Sequence, residues 1–149
     1  GSLNYYSLTL CLMVSLLCND TKQFVEFKST DVVVEIENGF ATITLPFEVL
    51  ADYHIQSNSD NSDGSITTGL IFKENNTYKI IHQEFSLKQD ETIILNGAKH
   101  KVISNQFEVK VTLKLNENTS DIKLEGELYY QACTDGQCLF PRVLNFKIK

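Results

Sequence analysis

The sequence predicts an all-β domain, a sandwich of about eight to ten short strands at the regular spacing of such folds. Three observations carry that expectation. Phe107, Val109, Val111, Leu113 and Leu115 alternate strictly with Glu108, Lys110, Thr112 and Lys114, the pattern of a strand with one buried and one wet face. Asn38-Gly39 and Asp135-Gly136 stand between extended runs as two-residue hairpin signals. No apolar pattern of helical period persists anywhere for the three turns, about ten residues, that a packed helix needs.

Taken in order, the chain first shows an apolar run from Leu8 to Cys18, LTLCLMVSLLC, followed at once by Asn19, Asp20, Thr21 and Lys22. It has the length of a signal-peptide core and falls short of the about 20 apolar residues that cross a bilayer. Residues 1–22 are therefore expected to be an export-signal remnant or a lipoprotein anchor acylated at Cys18, with an ordinary packed strand or helix as the plainer alternative. Leu17 departs from the small residue usual before an acylated cysteine. Cys11 and Cys18 are given no part in chemistry.

The sandwich is assigned to residues 31–149. Val32 to Ile36 is β-branched, and Phe40 to Val49 follows the Asn38-Gly39 turn as a second extended segment. Ile66 to Phe72, Tyr78 to Phe85, Thr92 to Leu95, Lys101 to Ile103 and the alternating strand at Phe107–Leu115 come next. Ile122–Leu124, Leu128–Tyr130 and Leu139 to Ile148 complete the set. The stretch SNSDNSDGS from Ser57 to Ser65 is a solvated loop by composition; it fails as a calcium loop because Leu70 stands where the closing glutamate belongs.

Composition narrows function. Over 149 residues, 13 Lys and Arg against 19 Asp and Glu give a net charge of −6, with no basic run, so no nucleic-acid partner is expected. His54, His82 and His100 have no metal-ligand spacing among themselves, and no metal or other cofactor is expected.

Chemistry concentrates in Tyr129 to Arg142, YYQACTDGQCLFPR. Asp135-Gly136 predicts a type I′ turn with positive φ at both residues. Counting outward, Thr134 faces Gln137 as a hydrogen-bonded pair and Cys133 faces Cys138 as a non-hydrogen-bonded pair, with Cα atoms roughly 4.5 Å apart. The two cysteines are thus placed to bond each other. A loop of six residues contributes only about 2 kcal/mol by closure entropy, a weak staple. A cross-strand bond at a hairpin tip is accessible and labile, which favours redox exchange. Exchange, structural bracing and, distantly, a metal site remain open on the residues alone.

Tyr130-Gln131-Ala132-Cys133, the short acidic-glycine turn, Cys138 and Pro141 before a last apolar strand resemble the C-terminal signature of the N-terminal periplasmic domain of DsbD, the disulfide bond corrector domain family. Ala51-Asp52-Tyr53-His54-Ile55 and Asn105-Gln106-Phe107-Glu108-Val109 resemble that family's upstream segments. The resemblance implies an immunoglobulin-like β-sandwich in the periplasm, with Cys133 and Cys138 relaying electrons between thioredoxin-like proteins or domains and a membrane electron-transfer partner, toward disulfide isomerisation or cytochrome c maturation. It makes Cys138 the site of the mixed disulfide. It also implies a cap loop over the cysteines, for which Ile94, Leu95 and Asn96, ahead of Gly97, stand in order along the chain, the alternative being a core strand. His54, Gln56, Tyr130 and Gln131 become candidate active-site neighbours. The sequence departs from the family in having four residues rather than five between the cysteines, and His54 and Gln56 where two tyrosines are usual.

Overall fold

A computed structural model of the protein describes residues 22–58, 66–88, 90–95, 97–116 and 121–148. The apolar run at 8–18, with Cys11 and Cys18, and most of the loop at 57–65 lie outside the described residues. Within them the chain forms twelve strands, one turn of 3-10 helix at Ser29–Asp31, and no α-helix. No helix among the described residues is long and apolar enough to cross a membrane.

The strands fall into three sheets. β1 (Val25–Phe27), β2 (Val33–Glu37), β3 (Phe40–Val49), β6 (Tyr78–Leu87) and β9 (Gln106–Leu115) make the largest, with β9 between β3 and β6 and with both β1 and β2 on the other edge of β3. β5 (Gly69–Phe72), β10 (Leu124–Tyr130) and β12 (Arg142–Ile148) form a second sheet with β10 central. β4 (His54–Gln56), β7 (Glu91–Leu95), β8 (Ala98–Ile103) and β11 (Ala132–Cys133) form a third in the order β11, β4, β8, β7. Every pairing is antiparallel. The described residues form an all-β domain, as expected.

Alternation places the core. In β3 the residues Ala41, Ile43, Leu45, Phe47 and Val49 are buried, and in β9 Phe107, Val109, Val111 and Leu113 are buried against them. Leu124, Leu128 and Tyr130 of β10 and Phe146 and Ile148 of β12 close the core from the second sheet. Phe47 binds the layers together: its ring lies 5.2 Å from that of Phe107 in its own sheet and 5.6 Å from that of Phe146 across the interface. Gly126 is required in β10 because a Cβ there would meet the Phe146 ring at 2.8 Å and the Ile71 carbonyl oxygen at 2.9 Å.

Pro46 lies within β3, where a missing N–H would ordinarily break a ladder. Its carbonyl accepts from the Lys28 N–H at 2.9 Å on the edge where β1 ends at Phe27 and before β2 begins at Val33. The proline therefore points its absent donor into the gap between two partner strands and costs no ladder bond.

The structure adds three strands to those expected, β1, β4 and β11, of two or three residues each. It joins Ile122–Leu124 and Leu128–Tyr130 into the single β10 and starts the last strand at Arg142, since Pro141 cannot donate to a ladder.

Candidate functional site

β11 is the last strand of the third sheet and leads directly into the cysteine hairpin. The Cys133 and Cys138 sulfurs are bonded, and their Cα atoms are 4.0 Å apart. Register is that counted from the sequence: Thr134 N–H donates to the Gln137 carbonyl at 2.8 Å, Leu139 N–H donates to the Ala132 carbonyl at 2.8 Å, and the cysteines pair between them.

The turn itself corrects the expectation. Neither Asp135 nor Gly136 has positive φ, so the loop is not type I′. Thr134 Oγ1 instead accepts from the Gly136 N–H at 3.4 Å and the Gln137 N–H at 3.3 Å, a local side-chain turn that needs no left-handed residue. Gln131 Nε2 donates to the Leu139 carbonyl at 3.0 Å and braces the two legs at their base.

The two sulfur-bearing residues differ in environment. Cys133 has no exposed surface, whereas Cys138 is exposed. Phe140, two residues on, is 85% exposed and presents an aromatic ring beside the accessible cysteine.

Across the joint with β4, Cys133 is directly opposite His54 and Ala132 opposite Ile55. Ala132 and Ile55 belong to the main core, so Cys133, His54 and, by alternation, Gln56 share the other face. His54 is 7% exposed and Gln56 1% exposed. Burial pushes the His54 imidazole below its ordinary pKa, the negative charges of Asp135 and Glu91 pull it back up, and His100 lowers it. Glu91 of β7 accepts a hydrogen bond from the Ser104 hydroxyl, just past the end of β8.

The structure brings His54 and Gln56 to the cysteine pair's sheet face and gives other duties to some expected neighbours. Tyr130 is fully buried in the core; its hydroxyl accepts from the Phe24 N–H at 2.9 Å and donates to Gln23 Oε1 at 2.6 Å. Arg142, the nearest basic residue in sequence, lies over the Phe24 ring, 4.9 Å from its centroid. Ile93, Ile94 and Leu95 are in β7, the edge of the third sheet farthest from β11, and Ile94 is 71% exposed; Asn96 lies outside the described residues. Among the described residues no group of three or more His, Cys, Asp or Glu is arranged to hold a metal ion.

No sequence pattern links Asp135, Glu91 and His100 to His54. Glu91 and His100 come from the β7–β8 hairpin and Asp135 from the cysteine loop, and the strand order β11, β4, β8, β7 brings the two places to His54.

No protein-family model matches the chain, and no curated protein matches it. Among solved structures, the N-terminal periplasmic domain of ScsB from Proteus mirabilis is similar at a TM-score of 0.57 and 10% identity, over 78% of this chain and 44% of that one. The reduced N-terminal domain of Neisseria meningitidis DsbD aligns at a TM-score of 0.46 and 13% identity, over 80% and 86% of the two chains. The GAE domain of yeast GGA1 aligns at 0.43 and 12%, over 88% and 96%. The chain spans less than half the length of the ScsB structure it matches. What it shares with that periplasmic domain is the fold alone.

Proposed function

We propose that this domain performs thiol–disulfide exchange in the bacterial cell envelope, using Cys133–Cys138 as a two-electron relay between thioredoxin-like proteins. Its electrons come from a membrane electron-transfer partner and go toward disulfide isomerisation or cytochrome c maturation. A lipid anchor at Cys18 would hold it at the membrane. Likeness to a periplasmic domain supports the compartment, and an oxidising compartment is where such a bond persists.

The observation that carries the proposal is the asymmetry of the bond: an exposed Cys138 tied to a wholly buried Cys133. In exchange, a partner thiolate attacks the Cys138 sulfur in line, the Cys133–Cys138 bond breaks, and Cys133 leaves as a thiolate. The partner's second thiolate then attacks its own sulfur in the mixed disulfide and releases Cys138. Two electrons and two protons have passed to the domain, and the partner has become a disulfide. The backbone bonds of Thr134 and Leu139 and the Gln131 brace hold the hairpin without the sulfur bridge, so opening it need not unmake the fold.

The test compares reduction of the bond by a reduced thioredoxin-fold protein and by glutathione at equal thiol concentration. Reduction about a hundredfold or more faster by the protein is expected from an exchange site that recognises its partner. Equal rates would make the bond a structural brace of an envelope binding module.

A further inference from the structure

His54 carries a feature that the disulfide alone does not explain. Its Nε2 atom is buried and has no hydrogen-bond partner, a costly state for an imidazole nitrogen. Directly opposed residues of an antiparallel pair share a face with Cβ atoms about 4.5–5.5 Å apart, which makes the His54 and Cys133 side chains immediate neighbours on one face. In the oxidised protein Cys133 has no proton to offer. In the reduced protein it becomes a buried thiol on the same sheet face as a buried nitrogen that has no partner.

We propose that His54 is the general base for Cys133: its Nε2 takes the proton of the buried thiol when the reduced pair closes. The role rests on the exchange function proposed above and deepens it. The groups facing His54 are Asp135 from the hairpin loop, Glu91 from β7 and His100 from β8. Burial keeps the ring neutral and able to accept, while the two carboxylates favour the imidazolium once the proton has moved.

The Cys138 thiolate attacks a target disulfide, forming a mixed disulfide and releasing the target's first sulfur as a thiolate, which takes a solvent proton. Cys133 then passes its proton to His54 Nε2 as its sulfur attacks the Cys138 sulfur. The Cys133–Cys138 bond forms, the mixed disulfide breaks, and the target's second thiolate leaves and is protonated, by His54 or by solvent. The target has gained two electrons and two protons.

The experiment mixes reduced protein with the chromogenic disulfide dithiobis-nitrobenzoate and follows release of the coloured thiol by stopped flow. The first release reports attack by Cys138 and the second reports attack by Cys133 on the mixed disulfide. With His54→Gln the first release should be unchanged. The second should slow about tenfold at neutral pH, with its midpoint moved up toward the ordinary thiol value of about 8.5. A second release unchanged in rate and pH profile would overturn the proposal. As a check that needs no substitution, the His54 ring resonances of the wild-type protein should follow two coupled inflections when reduced and one when oxidised. Identical titrations in both states would also overturn it. Neither measurement uses a partner protein. A thioredoxin-fold protein that reduces the bond rapidly while both measurements fail would therefore remove His54's role and leave exchange standing.

Discussion

Two hairpins in this molecule begin from nearly the same dipeptide and end differently. Asn38-Gly39 joins β2 and β3 with φ of 52° and 81°, as a type I′ turn requires. Asp135-Gly136 joins β11 to the Cys138 leg with positive φ at neither residue. The difference lies in what each turn must match. β2 and β3 pair over five consecutive positions from Glu37↔Phe40 to Val33↔Thr44, and the right-handed twist of that ladder demands a primed turn. Beyond Asp135-Gly136 there is only a two-residue strand and a single bridge, so no ladder imposes its twist and the Thr134 side chain decides the loop. The first turn sets a register. In the second, the Cys133–Cys138 bond stands where a long ladder would be.

The comparison can be broken most forcefully at the sulfurs. Replacing Cys133 and Cys138 together with Ala should abolish exchange while lowering stability by about 2 kcal/mol, the closure entropy of a six-residue loop, and leaving the native amide spectrum away from the hairpin unchanged. Global unfolding of that variant would mean the bond carries the fold. Next in size, Gly39→Ala should cost about 1–2 kcal/mol by denaturant titration, because a Cβ there meets nothing within 4 Å but must adopt a left-handed φ of 81°. A neutral Gly39→Ala would show that the ladder, and not the turn, holds β2.

Acid should act on the second hairpin. His54 is held below its ordinary value of 6.5 by burial, so the unfolded chain takes up a proton at a pH where the folded one does not. Its contribution to stability is complete above pH 6.5 and is lost as pH falls from there through the lowered folded value. Thermal midpoints of the oxidised protein should fall between pH 7 and 5, and His54→Gln should flatten that slope; parallel slopes would remove His54 from the account. The smallest effect belongs to Gly136→Ala, which adds a Cβ into open space without a left-handed φ and should change stability by less than about 0.5 kcal/mol. A loss as large as that of Gly39→Ala would erase the distinction between the two turns.

What the sequence revealed follows the same division. β3 and β9 were legible because ten residues of alternation are hard to mistake, and Asn38-Gly39 behaved as its composition demands. β1, β4 and β11 were not, since two or three residues carry no period and become strands only by virtue of a neighbour. The pairing of Cys133 with Cys138 survived a wrong turn type because a two-residue loop gives the same register in either conformation. His54 was singled out only through resemblance. Its position opposite Cys133, and the carboxylates around it, depend on a joint between β4 and β11 that no local pattern announces.

The Tyr130 hydroxyl has a mechanical consequence. By bonding Gln23 and the Phe24 N–H, it clamps the start of the described chain to the last residue of β10, three positions before Cys133. A pull on the chain ahead of Gln23 would be shared among that hydroxyl, the Gln23 Nε2 bond to the Val143 carbonyl at 2.9 Å and the Leu50 N–H bond to the Phe24 carbonyl at 2.8 Å before it loaded the three pairs of β1 with β3, and the first of these would carry part of it to the root of the cysteine hairpin. Tyr130→Phe would remove the link to β10 and leave that load on the Val143 and Leu50 bonds, on either side of the hairpin's root.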